Sequence, residues 1–171
     1  VGLSAVMGAN MAGAKRIIAV DRAASKKNLS INLGATHFVT ADDRAIDEVL
    51  NLTEGRGADV VIEAIGNTAL QESWLRAVRP GGTMVLVGVP STSDSTSFIS
   101  ADLIRSEKTI KGSYYAAADT GQAIDDLCAA YLQGRLPVDR LISKRVAIQD
   151  IQLAIDAMLT GAEGRTVIAF D

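Results

Sequence analysis

Short apolar segments alternate with helical segments along this chain, and this alternation limits the possible folds more than any other feature. The apolar segments are rich in β-branched residues, are too short for helices and are bounded by charged or turn residues. The predicted strands are residues 16–21, 36–40, 58–63, 83–88, 108–115, 141–146 and 165–170. The predicted helices are residues 1–15, 25–33, 44–52, 68–78, 120–133 and 148–159. Because strands that alternate with helices form right-handed βαβ units, we predict an α/β fold with a doubly wound parallel sheet.

The composition is that of an ordinary globular protein. The 171 residues are 48% hydrophobic and 22% charged, which is enough apolar material to bury a core. A net charge of −3 without a basic cluster argues against nucleic acid or a membrane surface as a partner. The longest apolar runs are far shorter than the roughly 20 residues that span a bilayer. With the single cysteine Cys128 and no leader-like N-terminal segment, we expect a cytoplasmic protein.

A glycine and an acidic residue have the separation that is typical of a dinucleotide-binding βαβ unit. Gly2 opens the first predicted helix, and Asp21 ends the next predicted strand, about 20 residues later. In such a unit the helix N-terminus faces the pyrophosphate, and the acidic residue accepts hydrogen bonds from ribose hydroxyls. An acid at this position also repels a 2′-phosphate, so we predict NAD rather than NADP, although Arg22 and Lys26 moderate that preference.

The strand that precedes Gly2 in such a unit would lie before Val1, as would the first two glycines of its turn. In the strand order 3-2-1-4-5-6 this strand is central, so its absence leaves unpaired backbone groups between two halves of the sheet. Each buried unpaired group costs about 1–3 kcal/mol, against a total domain stability of roughly 5–15 kcal/mol. We therefore expect a partial sequence, a rearranged sheet or a strand donated by a neighbour.

An ordered set of short motifs resembles the zinc-containing medium-chain alcohol dehydrogenases over nearly the whole chain. The matching segments are Val1-Gly2-Leu3-Ser4, Ile17-Ile18-Ala19-Val20-Asp21, Gly34-Ala35-Thr36, Glu63-Ala64-Ile65-Gly66-Asn67, Val87-Gly88-Val89-Pro90 and Ile110-Lys111-Gly112-Ser113. The resemblance implies a Rossmann coenzyme domain over residues 1–115, without the family's first strand, and helices and strands over residues 116–171 that return toward a catalytic domain. It also implies that the intact protein, a homo-oligomer, transfers a hydride between an alcohol or aldehyde and NAD.

The resemblance further implies which residues would contact the coenzyme, beginning with those near the N-terminus and the adenosine. Val1 would pack beside the nicotinamide, and Gly2 would lie under the pyrophosphate. Asp21 would bind the adenosine ribose with Lys26 as a second polar contact, and Ile65 would border the same ribose.

The remaining implied contacts are to the nicotinamide and the pyrophosphate. Val87, Ser113 and Tyr115 would offer backbone groups to the carboxamide. Val89 would pack on the nicotinamide ring, and Arg165 would contact the pyrophosphate.

The chain departs from the family pattern in what it lacks. The family's catalytic zinc ligands, proton relay and structural cysteine cluster all lie upstream of Val1, so we expect no catalytic residue here and assign zinc to the intact parent only. His37 and Cys128 lie far apart on different predicted elements, so no metal site is predicted. Asn67 stands where some members carry an arginine. We expect the chain alone to be inactive.

Three other interpretations stay open. A zinc-free quinone or enoyl reductase of the same superfamily is possible, but Asp21 argues against the NADPH that such enzymes usually bind. An S-adenosylmethionine-dependent methyltransferase also has an acid after its second strand, and residues 75–86 resemble its later Pro-Gly-Gly element. The methyltransferase interpretation does not account for the Val-Gly-Val-Pro segment at residues 87–90 or for Arg165. A non-catalytic assembly module could pair through an edge strand at residues 108–115.

Overall fold

The computed structural model describes residues 1–115, 119–159, 161 and 164–170. Its helices are α1 (Gly2–Met11), α2 (Lys26–Asn32), α3 (Ala45–Leu52), α4 (Thr68–Trp74), α5 (Ser100–Arg105), α6 (Thr120–Leu132) and α7 (Ile151–Leu159). Its strands are β1 (Ile18–Asp21), β2 (His37–Thr40), β3 (Ala58–Glu63), β4 (Val78–Leu86), β5 (Thr109–Gly112), β6 (Ile142–Ala147) and β7 (Arg165–Ala169). The chain divides into two compact units, each with its own sheets.

The three-strand unit comprises Val1–Gly2 and Ala41–Ile124. Its parallel sheet has the order β3-β4-β5, and the register places Glu63 beside Leu86 and Leu86 beside Gly112. The buried core of this unit consists of Leu75 together with Val78 and Met84 of β4, and Trp74, Phe98, Leu103 and Ile110 pack against it. Because the three strands are parallel and end in register, the loops that follow them leave the sheet at one edge.

The four-strand unit comprises Leu3–Thr40 and Asp125–Asp171. Strand β1 pairs with β2, and β6 pairs with β7, both in parallel. The buried core of this unit consists of Val6, Met7, Ile17, Leu33, Ala35, Ala130, Leu136 and Leu141. Helix α2 connects β1 to β2 and α7 lies between β6 and β7, which are the crossovers that parallel pairing requires.

Every described strand pair is parallel, which confirms the predicted parallel α/β class. Among the described residues the strands form three sheets rather than one, because β1 pairs only with β2 and β3 pairs only with β4. The predicted division after Tyr115 stays a prediction, and the first residues of its second part, 116–118, lie outside the described residues.

The helix predicted over residues 68–78 is too long, and the strand predicted from residue 83 is too short. Helix α4 ends at Trp74, a single 3-10 turn covers Leu75–Ala77, and β4 begins at Val78. Pro80 has no N–H and disfavours helical backbone at Arg79, so the chain becomes extended earlier than the Pro-Gly-Gly sequence indicates. A register shift between Ala58 and Val60 of β3 accommodates the extra residues of β4. Helix α5 was not predicted.

An ion-pair cluster lies beside this irregularity. The Asp59 carboxylate accepts hydrogen bonds from Arg56 Nη1 and Nη2 at 3.0 Å and from Arg79 Nε at 2.6 Å. Hydrogen bonds from Arg56 and then Arg79 hold the pKa of Asp59 well below its usual range. The exposed pair with Arg56 is the kind that contributes little by itself, but Arg79 joins β3 to β4.

Asp59→Asn should therefore lower the urea midpoint of unfolding at pH 7 by a small amount that depends on pH. The depressed native pKa stabilises the fold above the unfolded-state pKa of about 4, and this contribution is lost as the pH falls toward the native pKa. We expect the difference between wild type and variant to shrink steadily below pH 4. Asp43→Asn, at another exposed aspartate of this unit, is the control. A difference that stays constant from pH 7 to pH 2.5 would show that the ion pairs do not account for it.

The sequence places Cys128 with Ile124, Leu127 and Tyr131 on one apolar stripe of the predicted helix over residues 120–133, which predicts that Cys128 is a small core residue. This prediction is wrong. Cys128 is exposed, as are Ile124, Leu127 and Tyr131 on the same stripe of α6. Helix α6 instead buries Ala130 in the core of the four-strand unit. The helical period was correctly identified, but two faces of α6 carry apolar residues, and the sequence does not say which face is covered.

Candidate functional site

Five of the sequence-predicted coenzyme residues follow the carboxyl ends of the three-strand sheet: Ile65, Val87, Val89, Ser113 and Tyr115. The Val87 N–H donates to Glu63 O at 2.8 Å, and the Ser113 N–H donates to Leu86 O at 2.9 Å. These bonds extend the sheet by one residue at each strand and fix where the loops begin. Ligands of open α/β sheets bind beyond the carboxyl ends of the strands, so the position suits a coenzyme.

The loops after β3 and β4 lie against each other through two glycines. Gly66 has φ +83°, and a Cβ there would lie 2.7 Å from the carbonyl carbon of Val89. A Cβ on Gly88 would lie 2.5 Å from the carbonyl carbon of Ile65. Neither position accepts a larger residue without movement of the opposite backbone. The structure therefore brings Ile65 and Val89 onto adjacent segments.

The side chains at this edge are apolar and largely exposed. Ile65, Val89 and Tyr115 are each more than two-thirds exposed, and Ser113 is exposed as well. Tyr115 has φ 49°, and its ring contacts that of Tyr114 edge to face at 4.5 Å between centroids. Several exposed apolar side chains just beyond the carboxyl ends of neighbouring strands are typical of an interaction site rather than of ordinary protein surface.

Asp21 and Lys26 lie together in the four-strand unit, at the carboxyl end of β1. Asp21 Oδ1 accepts a hydrogen bond from the Ala23 N–H at 2.9 Å, which fixes the carboxylate in a turn. Lys26 Nζ lies 3.0 Å from Asp21 Oδ2 and 3.3 Å from Oδ1. The Asp21 side chain remains 36% exposed, so its oxygens can accept further hydrogen bonds.

For the other predicted site residues, Gly2, Val1 and Arg165, the structure gives a position but no contact that identifies what they bind. Gly2 is the first residue of α1, and a Cβ there would meet no atom within 4 Å. Val1 is exposed beside it. Arg165 is the exposed first residue of β7, opposite Ile142. Asp21, Lys26 and Arg165 belong to the four-strand unit and the other predicted residues to the three-strand unit, so a single site made from all of them stays a prediction.

A buried polar network at the carboxyl end of β3 was not predicted from the sequence. Glu63, the last residue of β3, is 6% exposed, and Gln71 of α4 is 3% exposed. Glu63 stands in a segment that matched the family, but an acid at a strand end is usually solvated, so no role was predicted for it. Asn67 has a structural role: its side-chain oxygen accepts the Leu70 N–H at 3.0 Å and caps α4.

Metal-ligating groups do not gather in the described parts of the chain. Among residues 1–115, 119–159, 161 and 164–170, no three His, Cys, Asp or Glu side chains are placed to hold one ion. His37 Nδ1 is within 2.9 Å of the Thr36 hydroxyl oxygen. None of the described helices is both long and apolar enough to cross a membrane.

Comparison with known proteins agrees with the motif resemblance. The family model described as zinc-binding dehydrogenase matches residues 1–130. The NDMA-dependent alcohol dehydrogenase of Amycolatopsis methanolica is 32% identical over 98% of this chain and 46% of its own length.

Solved structures give the same result. Benzyl alcohol dehydrogenase from Acinetobacter calcoaceticus superposes with a TM-score of 0.90 at 28% identity, over 99% of this chain and 47% of that one. A zinc-binding dehydrogenase from Sinorhizobium meliloti, solved bound to NADP, has a TM-score of 0.76 at 28% identity, over 97% of this chain and 48% of that one. This chain thus spans about half the length of its relatives. Its motifs, its parallel α/β fold and the family match agree, and the chain belongs to the zinc-binding dehydrogenase family.

Proposed function

We propose that this chain is the coenzyme-binding part of an NAD-dependent alcohol dehydrogenase. The observation that carries the proposal is the Asp21 carboxylate, which is held at the end of β1 by the Ala23 N–H and keeps an exposed face. A carboxylate at this point of a βαβ unit can accept both hydroxyls of the adenosine ribose. The Lys26 ammonium group, 3.0 Å from Asp21 Oδ2, would be a second polar contact to the same ribose.

The nicotinamide end would lie at the carboxyl edge of the three-strand sheet. The N–H groups of Val87 and Ser113 already bond to strand carbonyls, so these residues would offer their carbonyl oxygens to the carboxamide NH2. The Tyr115 N–H would donate to the carboxamide oxygen, and Val89 and Val1 would pack on the ring. Gly2 at the N-terminus of α1, together with Arg165, would face the pyrophosphate. When bound, NAD supplies the ring that accepts the hydride, and this chain binds and orients it.

Zinc does not fit the described residues, because they contain no suitable group of ligands. We assign zinc and the alcohol or aldehyde substrate to a longer parent protein, and we expect no turnover by residues 1–171 alone. We keep a homo-oligomeric, cytoplasmic enzyme as part of the proposal.

The choice between NAD and NADP rests on charge. The Asp21 carboxylate would repel a 2′-phosphate, which supports NAD. The Sinorhizobium meliloti relative was solved with NADP, which is an argument for the other coenzyme. A zinc-free NADPH reductase is accordingly the alternative that the test must separate from the main proposal.

Calorimetric titration of the purified chain with NAD, NADP and S-adenosylmethionine tests the proposal directly. We expect NAD to bind at least about tenfold more tightly than NADP, which corresponds to roughly 1.4 kcal/mol of repulsion and lost hydrogen bonding. Preferential NADP binding would favour the reductase. Binding of S-adenosylmethionine alone, or of none of the three, would contradict the proposal.

A further inference from the structure

The Glu63 side chain is a buried acid with neutral partners. Its Oε1 accepts hydrogen bonds from the Ile65 N–H at 2.7 Å and the Gly66 N–H at 2.8 Å. Its Oε2 accepts from Gln71 Nε2 at 3.0 Å. Burying a carboxylate is costly unless hydrogen bonds replace its water, and here all three donors come from the segment just after β3 and from α4. The loop after β3 thus holds the carboxylate by hydrogen bonds, and the same bonds fix the conformation of that loop.

The backbone of Glu63 makes a second set of contacts. Its carbonyl oxygen accepts hydrogen bonds from the Val87 N–H at 2.8 Å and the Gly88 N–H at 3.0 Å. One residue therefore fixes the loop after β3 through its side chain and the loop after β4 through its main chain. These are the two loops that Gly66 and Gly88 bring into contact.

Gln71 connects Glu63 to Thr96 and determines which groups of the network donate hydrogen bonds and which accept them. Its Nε2 donates to Glu63, and its Oε1 accepts a hydrogen bond from the Thr96 hydroxyl at 2.6 Å. The amide can satisfy both partners in one orientation only. A glutamine at position 63 would have one acceptor oxygen, and if it kept the Ile65 and Gly66 bonds its NH2 would face the NH2 of Gln71. As long as Gln71 keeps this orientation, the network requires an acceptor-only side chain at position 63.

We propose that Glu63 is a positioning residue for the coenzyme: its carboxylate sets the Ile65–Gly66 turn against the Val87–Val89 segment, so that Ile65 and Val89 are presented to the bound dinucleotide. This inference rests on the proposed function, because it supposes that these loops contact NAD. Hydrogen bonds from backbone N–H groups to a buried carboxylate are stronger than neutral ones, which suits a fixed turn. Glu63 need not touch the coenzyme to act in this way.

Exchanging the two side chains tests the proposal. Gln71→Glu sets two carboxylates against each other, and no rotation of either side chain relieves this. Glu63→Gln is the milder change, because the Gln71 amide can turn over, accept from the new NH2 and donate to the Thr96 hydroxyl instead. The double variant E63Q/Q71E restores every bond, because the new amide at position 63 donates to the new carboxylate at position 71, which still accepts from Thr96. We expect the NAD dissociation constant to rise about tenfold in Gln71→Glu, to rise by less in Glu63→Gln, and to return to within about threefold of wild type in the double variant.

Asp59→Asn is the matched control, since Asp59 is a carboxylate on the same strand with arginine rather than loop partners. It should leave NAD affinity unchanged. Hydrogen exchange at the Ile65 and Gly66 amides provides a second measurement, and it should accelerate in Gln71→Glu and slow again in the double variant. If Gln71→Glu does not fold, the double variant still decides: near wild-type affinity supports the proposal, and a folded double variant that binds NAD more than tenfold more weakly overturns it.

Two results would count against the inference in different ways. If wild type binds NAD and Gln71→Glu binds it equally well while unfolding at lower urea, the Glu63–Gln71 network is structural and the inference fails with the proposed function intact. If wild type does not bind NAD, the proposed function fails and the inference fails with it. Comparing wild type with the variant therefore separates the two failures.

Discussion

Asp21→Asn should weaken NAD binding by about tenfold or more and should strengthen NADP binding, so that the coenzyme preference reverses. The asparagine oxygen keeps the hydrogen bond from the Ala23 N–H, so the turn at the end of β1 survives. The charge that binds the ribose hydroxyls is lost, and hydrogen bonds to charged groups contribute about 1.5–3 kcal/mol. Lys26, now 3.0 Å from a neutral amide, becomes available to a 2′-phosphate.

Asp42→Asn is a close control for this substitution. Asp42 Oδ1 accepts the Arg44 N–H at 2.8 Å, and Arg44 Nη2 lies 3.8 Å from Oδ2, so Asp42 repeats the turn and the basic partner of Asp21. Parallel calorimetric titrations with NAD and NADP should show no change in this variant. Unaltered NAD affinity in Asp21→Asn would mean that Asp21 is an ordinary solvated acid, and the adenosine site would have to be sought elsewhere.

Local sequence predicted elements well where apolar runs have clear ends. Strand β3 was predicted to the residue, because three consecutive β-branched residues with an acid on each side lie between Gly57 and the turn that contains Gly66. The boundary between α4 and β4 was wrong, because Pro80 acts on the residues before it and because β3 offers Val78 a pairing partner. That pairing is a tertiary contact, and no window of sequence contains it.

The candidate site likewise contains residues that local sequence points to and residues whose role depends on tertiary contacts. Asp21 was singled out by its separation from Gly2 and Lys26 by the family resemblance, but the contact between their side chains was not predicted. Glu63 could not be identified, because its role depends on burial by α4 and on donors from a turn whose shape the sequence does not specify. The family motif contained Glu63 without indicating what it holds. The sequence signal that could have drawn attention to Glu63 is an acid that ends an apolar strand and precedes a turn glycine by three residues.

Gly88→Ala should lower the free energy of unfolding by about 3 kcal/mol and should abolish measurable NAD binding. A Cβ at this position would overlap the Gly66 nitrogen and would lie 2.5 Å from the Ile65 carbonyl carbon and 2.6 Å from the Ile65 nitrogen. All three are backbone atoms, which cannot rotate away as a flexible side chain can. Overpacking typically costs about 1–3 kcal/mol, and contact with backbone places this site at the upper end.

Loss of NAD binding follows because the two loops must separate to admit the methyl group. Separation breaks the hydrogen bonds from Val87 and Gly88 to Glu63 O, and it moves Val89 away from Ile65. Gly112→Ala is the control, since a Cβ there meets no atom within 4 Å and the residue lies in β5 of the same unit. Urea unfolding should place Gly112→Ala within about 1 kcal/mol of wild type. If Gly88→Ala is equally stable and binds NAD normally, the loops adapt freely, and their close approach is not what positions the coenzyme.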